Sequence, residues 1–224
     1  MLNDMPKTKN IVIIVAAGTG SRLGSEIPKQ FLLLNGREIL SYSIETFMQH
    51  SKIDRVIIVT SEQYLDHVKS NYPDCMVVLG GSTRQESVYN GMQNCTEDTL
   101  NILIHDAARP LIRARVIDDC LNALDEYDGT APAINPSDSM IQLVDGGFLN
   151  LDRDSLRIVQ TPQCFRFDIL KQAHASSFRD TDEIGLVKQA LPKANLYFVE
   201  GAGESMKITE SKDIKIVELY LSLT

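Results

Sequence analysis

The sequence predicts an α/β fold in which helices cover both faces of a doubly wound, mostly parallel β-sheet. Two observations lead to this class. A continuous apolar run at residues 11–15, IVIIV, has the pattern of a strand that is buried on both of its faces. Strand-like and helix-like segments then alternate along the chain, as they do in successive βα units. The run at 11–15 is therefore the first predicted strand.

The other predicted elements follow in order. An apolar stripe at helical spacing, formed by Leu40, Ile44, Phe47 and Met48, indicates a first helix. Strands are expected at 55–60, 76–79 and 101–105, and helices at 62–71 and 83–94. Because ligands of such sheets bind at the carboxyl ends of the strands, we expect the loops after residues 15, 79 and 105 to meet at one pocket.

Length and composition indicate a soluble enzyme, and we expect residues 1–224 to form a single domain. Of the 224 residues 43% are hydrophobic, which is enough to bury a full core. The net charge of −8, from 22 Lys and Arg against 30 Asp and Glu, disfavours a nucleic-acid partner. The longest apolar run near the N-terminus, 11–17, is too short for a membrane span or a signal segment. We therefore expect a cytoplasmic protein that has no membrane partner.

The four cysteines point away from metal and redox chemistry. They are widely spaced and form no CxxC pair, so a metal cluster or a redox motif is not indicated. We expect reduced, mostly buried thiols at Cys75, Cys95, Cys120 and Cys164.

The loop after the first strand, AAGTGSRLGSEIPKQ, has the composition of a phosphate-binding loop. Its small residues let backbone amides approach an anion closely; they are Ala16, Ala17, Gly18 and Gly20. A P-loop would need GxxxxGK before Ser or Thr, and a dinucleotide fold would need GxGxxG, so both fit poorly. Arg22 and Lys29 suit negative charge that develops during a reaction at phosphorus. The alternative is an ordinary strand-to-helix turn with two solvated cations.

Eight segments in series resemble the motifs of the 2-C-methyl-D-erythritol 4-phosphate cytidylyltransferases. The resemblance runs over nearly the whole chain and is carried by AAGTGSRLG, PKQ, GGSTRQESV at 80–88, HDAARP at 105–110, LDR at 151–153, QTPQ at 160–163, TDE at 181–183 and MKIT at 206–209. It implies a Rossmann-like nucleotidyltransferase that moves CMP from CTP to 2-C-methyl-D-erythritol 4-phosphate. Mg²⁺ would be bound mainly through the CTP phosphates, with no dedicated protein metal site.

Two other functions remain open on these residues. Cytidylyltransferases for other polyol phosphates, such as ribitol 5-phosphate, share the glycine loop and QTPQ-like segments. A catalytically silent nucleotide-binding subunit is a third possibility, against which the joint presence of Arg22, Lys29 and Lys207 argues.

The resemblance assigns the nucleotide half of the site. Arg22 and Lys29 would bind the triphosphate and stabilise the five-coordinate phosphorus, next to Ala16, Ala17, Gly18 and Gly20. The cytosine-recognition segment would comprise Gly81, Ser82 and Ser87, followed by Asp106 and Ala107 at the next strand end. Two structural alternatives are that Ser87 caps or faces a helix and that Asp106 is a helix cap.

The resemblance also assigns the acceptor half. Ser139, Arg153 and Lys207 would hold the sugar phosphate, and Asp106 and Arg109 complete the predicted substrate-binding set. Arg153 could instead pair with Asp152 or Asp154. A phosphate monoester loses its second proton near pH 6, so the reaction needs no general base. His105 lies at the end of a predicted strand, so we expect it to be a packed or orienting side chain.

Residues 135–160 predict a β-hairpin, because two short alternating segments flank Asp145, Gly146 and Gly147. Such an arm is too small to fold alone. It could be an edge hairpin on the main sheet. The resemblance instead implies a projecting dimerisation arm that interlocks with a second chain, so that each active site of the homodimer contains residues from both chains.

Overall fold

The computed structural model describes residues 9–18 and 27–223. In chain order its strands are β1 (Lys9–Ala16), β2 (Leu33–Leu34), β3 (Arg37–Glu38), β4 (Arg55–Thr60), β5 (Met76–Leu79), β6 (Thr99–Asp106), β7 (Gly129–Ile134), β8 (Met140–Val144), β9 (Gly147–Leu151), β10 (Ile158–Val159), β11 (Gln163–Arg166) and β12 (Leu196–Glu200). Its α-helices are α1 (Ile39–Gln49), α2 (Leu65–Asn71), α3 (Arg84–Met92), α4 (Ala114–Ala123), α5 (Phe167–His174), α6 (Glu183–Ala190) and α7 (Ser211–Ser222).

Within these ranges, eight strands form the central sheet. They hydrogen-bond in the order β10-β7-β11-β6-β1-β4-β5, and β12 pairs with β7. The pairs β1–β4, β1–β6, β4–β5 and β7–β12 are parallel. The short strands β10 and β11 run antiparallel to their neighbours. The expected mostly parallel α/β sheet is therefore confirmed.

Alternate residues of β1 enter two separate core layers, one on each face of the sheet. Val12 and Ile14 pack in the layer that contains Phe47 of α1. Ile11 and Ile13 pack in the opposite layer, against residues of α3, α5 and α6. This is the physical reason why the segment reads as an uninterrupted apolar run, since both faces of a central parallel strand are buried.

The predicted strands and helices agree with the structure to within a few residues, with one correction on α1. Leu40, Ile44 and Phe47 are buried as the stripe predicts, but Met48 is 44% exposed. Met48 follows Phe47 directly, and one step around a helix turns a side chain by about 100°. Ile39 takes the buried position instead.

The segment 135–160 contains the predicted hairpin. Strands β8 and β9 pair antiparallel, with Leu143 opposite Phe148, in a two-stranded sheet separate from the central one. Gly146 supplies the positive φ of 83° at the turn. The hairpin is therefore not an edge extension of the main sheet, which removes that alternative.

Candidate active site

The carboxyl ends of β1, β5 and β6 meet at a cleft of about 270 Å³, as the positions of the three loops predict. Nine of the predicted site residues line it: Ala17, Gly18, Lys29, Gly81, Ser82, Ser87, Asp106, Ala107 and Lys207. Ala16 is buried at the end of β1 beside Ala17. Gly20 and Arg22 lie outside the described residues. The cleft thus joins segments from four distant parts of the sequence.

Gln30 fixes the start of the glycine loop. Its side chain is 3% exposed, and its amide nitrogen donates to the carbonyl oxygens of Ala16 (2.6 Å) and Gly18 (2.9 Å). These two bonds tie the backbone at Ala16 and Gly18 to Gln30 at the rim of the cleft. Neighbouring Lys29 extends across the site, and its Nζ donates to the carbonyl oxygen of Ile208 at 2.7 Å.

The loop from Gly80 to Thr83 lies directly against the glycine loop. A Cβ placed on Gly80 would come within 2.5 Å of the Cβ of Ala17. Contact this close requires glycine at position 80. The two loops therefore form adjoining walls of one cleft.

Ser87 is held within this loop. Its Oγ accepts from the backbone N of Gly81 (3.1 Å) and donates to the carbonyl oxygen of Thr83 (2.9 Å). A carbonyl can only accept, so the hydroxyl hydrogen of Ser87 is already used, and the oxygen has one lone pair left. Thr83 and Glu86 form a capping box at the start of α3. Ser87 therefore lies on α3, as the alternative of a serine that faces a helix states, and it also lines the cleft with one acceptor position left on its oxygen.

Asp106 lies at the centre of a cluster of cations. Its Oδ2 accepts from Lys207 Nζ at 2.8 Å and lies 3.7 Å from Arg109 Nε, while its Oδ1 accepts from Arg84 Nε at 3.3 Å. Burial would raise the pKa of Asp106, but Arg84, Lys207 and Arg109 outweigh it and hold that pKa well below its usual range. The side chain is therefore an ionised carboxylate. It is no helix cap, because α4 begins later, at Ala114.

Arg84 and Glu183 belong to this cluster and were not predicted from the sequence. Arg84 lines the cleft and donates to Glu183 Oε2 at 2.5 Å. Burial lowers the pKa of Arg84, but the carboxylates of Glu183 and Asp106 raise it by more, so the net effect is an increase. Burial raises the pKa of Glu183. Glu183 is the last residue of the TDE motif, so its contact with Arg84 connects that motif to the site.

Side chains of the QTPQ motif hydrogen-bond to the backbone of the residues that form the site. Gln163 Oε1 accepts from the backbone N of Glu183 (2.9 Å), and Thr161 Oγ1 accepts from the backbone N of Asp106 (3.1 Å). His105 is fully buried, and burial lowers its pKa to about 4. Its Nε2 donates to the carbonyl oxygen of Arg109, so Nδ1 accepts from the Thr161 hydroxyl at 3.0 Å. The expectation of a packed, orienting histidine is confirmed.

Arg109 does not line the cleft. Its side chain is 11% exposed, and its Nη1 donates to the carbonyl oxygen of Ser205 at 2.9 Å. The segment around Lys207 is also bound to the loop after β6, because the backbone N of Ile208 donates to the carbonyl oxygen of Ala108 (2.9 Å). Arg109 therefore ties the segment that carries Lys207 to the strand end that carries Asp106.

Like Arg109, Ser139 and Arg153 are predicted site residues that do not line the cleft of this single chain. Both lie in the arm region, and neither is among the residues that line the cleft. Arg153 donates to the carbonyl oxygen of Ser137 at 2.9 Å. Within the described ranges it forms no ion pair with Asp152 or Asp154, the pairing considered as an alternative.

Over residues 9–18 and 27–223, no group of three or more His, Cys, Asp or Glu side chains could hold a metal ion. Likewise, none of the helices in those ranges is long and apolar enough to cross a membrane. All four cysteines are free thiols, and three of them are buried.

Comparison with known proteins identifies the family. The sequence model of the family described as IspD, 2-C-methyl-D-erythritol 4-phosphate cytidylyltransferase, matches residues 10–223. The protein of that description from Clostridium novyi (strain NT) is 35% identical over 227 residues, 96% of this chain and 97% of its own.

Solved structures of related proteins have the same fold as this chain. The 4-diphosphocytidyl-2C-methyl-D-erythritol synthase of Anaerococcus prevotii DSM 20548 shares the fold, with a TM-score of 0.87 over 98% of this chain and 99% of that one at 24% identity. The Francisella tularensis 2-C-methyl-D-erythritol 4-phosphate cytidylyltransferase gives a TM-score of 0.81 at 26% identity, covering 95% and 99%. The chain belongs to the 2-C-methyl-D-erythritol 4-phosphate cytidylyltransferase family.

Proposed function

We propose that this chain transfers CMP from CTP to 2-C-methyl-D-erythritol 4-phosphate, giving 4-diphosphocytidyl-2-C-methyl-D-erythritol and pyrophosphate for isoprenoid precursor synthesis. The observation that carries the proposal is the arrangement of one cleft in which Lys29 and Lys207 face a small-residue loop and an ionised Asp106. Membership of the family supplies the identity of the two substrates.

The reaction forms a bond from an acceptor phosphate oxygen to the α-phosphorus of CTP and breaks the bond from that phosphorus to the β-phosphate bridging oxygen. Pyrophosphate leaves with the electron pair of the broken bond. Above pH 6 the attacking phosphate is largely deprotonated, so no general base is required. This agrees with His105, which is buried away from the cleft lining and has a pKa of about 4.

Catalysis then depends on alignment and on charge. Ala16, Ala17 and Gly18, with Gly20 beyond the described part of the loop, would present backbone amides to the triphosphate. Lys29, together with Arg22, would neutralise the charge that accumulates on the phosphorus oxygens in the transition state. Lys207 would hold the acceptor phosphate at the other side of Asp106.

The donor set suits a magnesium ion that arrives with the nucleotide. Both oxygens of Asp106 in the cleft are already paired, with Lys207 and Arg84, and the described residues contain no metal-binding cluster, so the ion would be held mainly by the nucleotide phosphates. Magnesium keeps several waters and is often held by one or two carboxylates plus substrate phosphates. When bound, the ion would neutralise charge on the triphosphate oxygens.

Ser87 supports selection of cytosine over uracil. Its hydrogen is donated to the carbonyl oxygen of Thr83, so towards a base it can act as an acceptor. Cytosine presents an exocyclic amine that donates, whereas uracil presents a carbonyl oxygen at the same position. Gly81 and Ser82 shape this wall of the cleft.

We also propose that the chain is one nucleotidyltransferase domain whose arm, 135–160, makes a homodimer. The paired residues Leu143 and Phe148 share one face of the hairpin and are 79% and 61% exposed. The other face carries Met140, Val144 and Leu149, each at least 40% exposed. A ribbon with apolar side chains on both faces needs a partner surface. A second copy in a closed two-fold dimer is the commonest form of such a partner.

The dimer would bring Arg153 and Ser139 of one chain to the cleft of the other. Mixed dimers test this directly. Arg153→Ala and Lys29→Ala chains, each shown to be nearly inactive, are co-refolded at equal amounts. With shared sites, each mixed dimer contains one intact site, so activity returns to about a quarter of the wild-type value. Mixed dimers without activity, or a monomer at micromolar concentration, would rule out the shared site.

The free thiols also support a cytoplasmic location, because such a compartment keeps cysteines reduced.

The decisive test of function is a panel of phosphorylated polyols, including 2-C-methyl-D-erythritol 4-phosphate and ribitol 5-phosphate, assayed with CTP and Mg²⁺ for pyrophosphate release. We expect the methylerythritol compound to give the highest kcat/KM. A higher value for another polyol phosphate would contradict the proposed acceptor, and no release with any compound would contradict the activity itself.

A further inference from the structure

Arg84 is shared between two carboxylates, those of Asp106 and Glu183. Its Nε donates to Asp106 Oδ1 at 3.3 Å, and its Nη1 donates to Glu183 Oε2 at 2.5 Å. The guanidinium therefore donates to Glu183 through one nitrogen and to Asp106 through another.

The second oxygen of Asp106 belongs to Lys207, whose Nζ lies 2.8 Å from Oδ2. A guanidinium can bind both oxygens of a carboxylate at once through two parallel hydrogen bonds. Arg84 is thus a potential competitor of Lys207 for Asp106. In the present division Oδ1 faces Arg84, and Oδ2 faces Lys207 with Arg109 Nε farther away at 3.7 Å. Keeping this division requires something that prevents the guanidinium of Arg84 from rotating fully onto Asp106.

Glu183 is built to supply that restraint. Its side chain is 1% exposed, and its backbone N, with that of Ile184, donates to Gln163 Oε1 at 2.9 and 3.2 Å. It stands in the first turn of α6, where the helix dipole favours a negative charge. A carboxylate buried this deeply needs a counter-ion. Arg84 is that counter-ion, so the position of Nη1 is fixed by a rigid helix start.

We propose that Glu183 is a positioning residue that restrains Arg84 and so reserves one oxygen of Asp106 for Lys207. Lys207 thereby keeps the location from which it meets the acceptor phosphate. This inference rests on the proposed function for its kinetic consequence, but the placement of Lys207 can be measured without any substrate.

The test compares wild type with Glu183→Gln, Arg84→Met and the double variant. Lys207 is labelled with an amine-reactive ester and quantified by peptide mass spectrometry, with the exposed Lys193 as internal standard. In Glu183→Gln we expect the labelling rate of Lys207 to rise about threefold to tenfold, because Arg84 takes its place on Asp106. In the double variant the competitor is absent, and the rate should return to the wild-type value.

Kinetics give the second readout. Glu183→Gln should raise the KM for the acceptor about tenfold and leave the KM for CTP within about twofold, and it should add no further loss to Arg84→Met. Loss of helix stability alone would act equally in both backgrounds. If Glu183→Gln does not fold, Glu183→Asp, which keeps the charge and shortens the reach, should release Lys207 in the same direction.

Unchanged labelling of Lys207 in a folded Glu183 variant, or an equal effect of Glu183→Gln with and without Arg84, would overturn the proposal. Inactivity of the wild type would instead refute the proposed function and leave the labelling result to decide the role of Glu183.

Discussion

Replacing Asp106 with asparagine keeps the size of the side chain and removes the negative charge at the centre of the cation cluster. Asp106 is 11% exposed and contacts Arg84, Lys207 and Arg109. Without its charge, three cations remain within one small region with Glu183 as the nearest buried anion. The variant should therefore lose folding stability in addition to activity.

The size of the loss follows from the burial of the partners. Removing one member of a buried ion pair costs about 3–5 kcal/mol. Lys207 is 34% exposed, so water screens part of the uncompensated charge, and we take the lower end, about 3 kcal/mol. For a chain of this length each kcal/mol shifts Tm by about 2–4 °C, which gives a decrease of about 6–12 °C.

Thermal unfolding followed by circular dichroism at pH 7.5 measures the effect. Asp119→Asn is the matched control, because Asp119 is 40% exposed and its contact with Arg115 is 3.7 Å long; it should change stability by less than about 0.5 kcal/mol. The pKa of Asp106 is depressed by folding, so its contribution is present above about pH 4 and is lost as the pH falls further. A Tm decrease below about 2 °C at pH 7.5 would refute the reasoning.

Three further outcomes are expected. Lys29→Ala should lower kcat by about 10²–10³, while Lys193→Ala leaves it unchanged; kcat within threefold of wild type would exclude the role of Lys29. CTP should be preferred over UTP by at least about tenfold in kcat/KM, and Ser87→Ala should reduce that preference, whereas equal values in the wild type would show that the base is not recognised at this wall. Burial lowers the pKa of His105 and of His174 to about 4, so the unfolded chain binds protons near pH 6.5 that the folded chain does not. Stability should therefore fall by about 3 kcal/mol for each histidine between pH 6.5 and 4, measured by urea unfolding, and His174→Gln should flatten this slope; an unaltered slope would contradict it.

The parts of the fold that depend on local pattern were predictable from the sequence. Residues 11–15 are apolar without interruption because both faces of β1 are buried, and that cause is visible in the sequence itself. The position of Asp106 followed from its place after a predicted strand. Met48 was misplaced because it neighbours Phe47, and helical spacing alone does not decide which of two adjacent residues faces the core.

The charge pairing within the site was not predictable in the same way. Arg84 and Glu183 are 99 positions apart, and Lys207 and Asp106 are 101 apart. Their meeting depends on how α3, α6 and the segment before α7 are arranged around the sheet, which no local pattern specifies. Arg109 follows Asp106 by three residues, yet the turn after β6 directs it to Ser205 and away from the cleft. The TDE and QTPQ motifs marked the region but gave no indication of the partner of Glu183.

The contact between Gly80 and Ala17 has a consequence for how this cleft can change in evolution. The width of the cleft depends on the absence of a Cβ at Gly80, since any side chain at position 80 would push one wall away from the other. An alanine at 80 would widen the cleft even though position 80 is not among the residues that line it. A larger residue at position 80 should be tolerated only after the residue at position 17 becomes smaller. Positions 17 and 80 are therefore expected to change together in evolution, and the cleft to keep the same width.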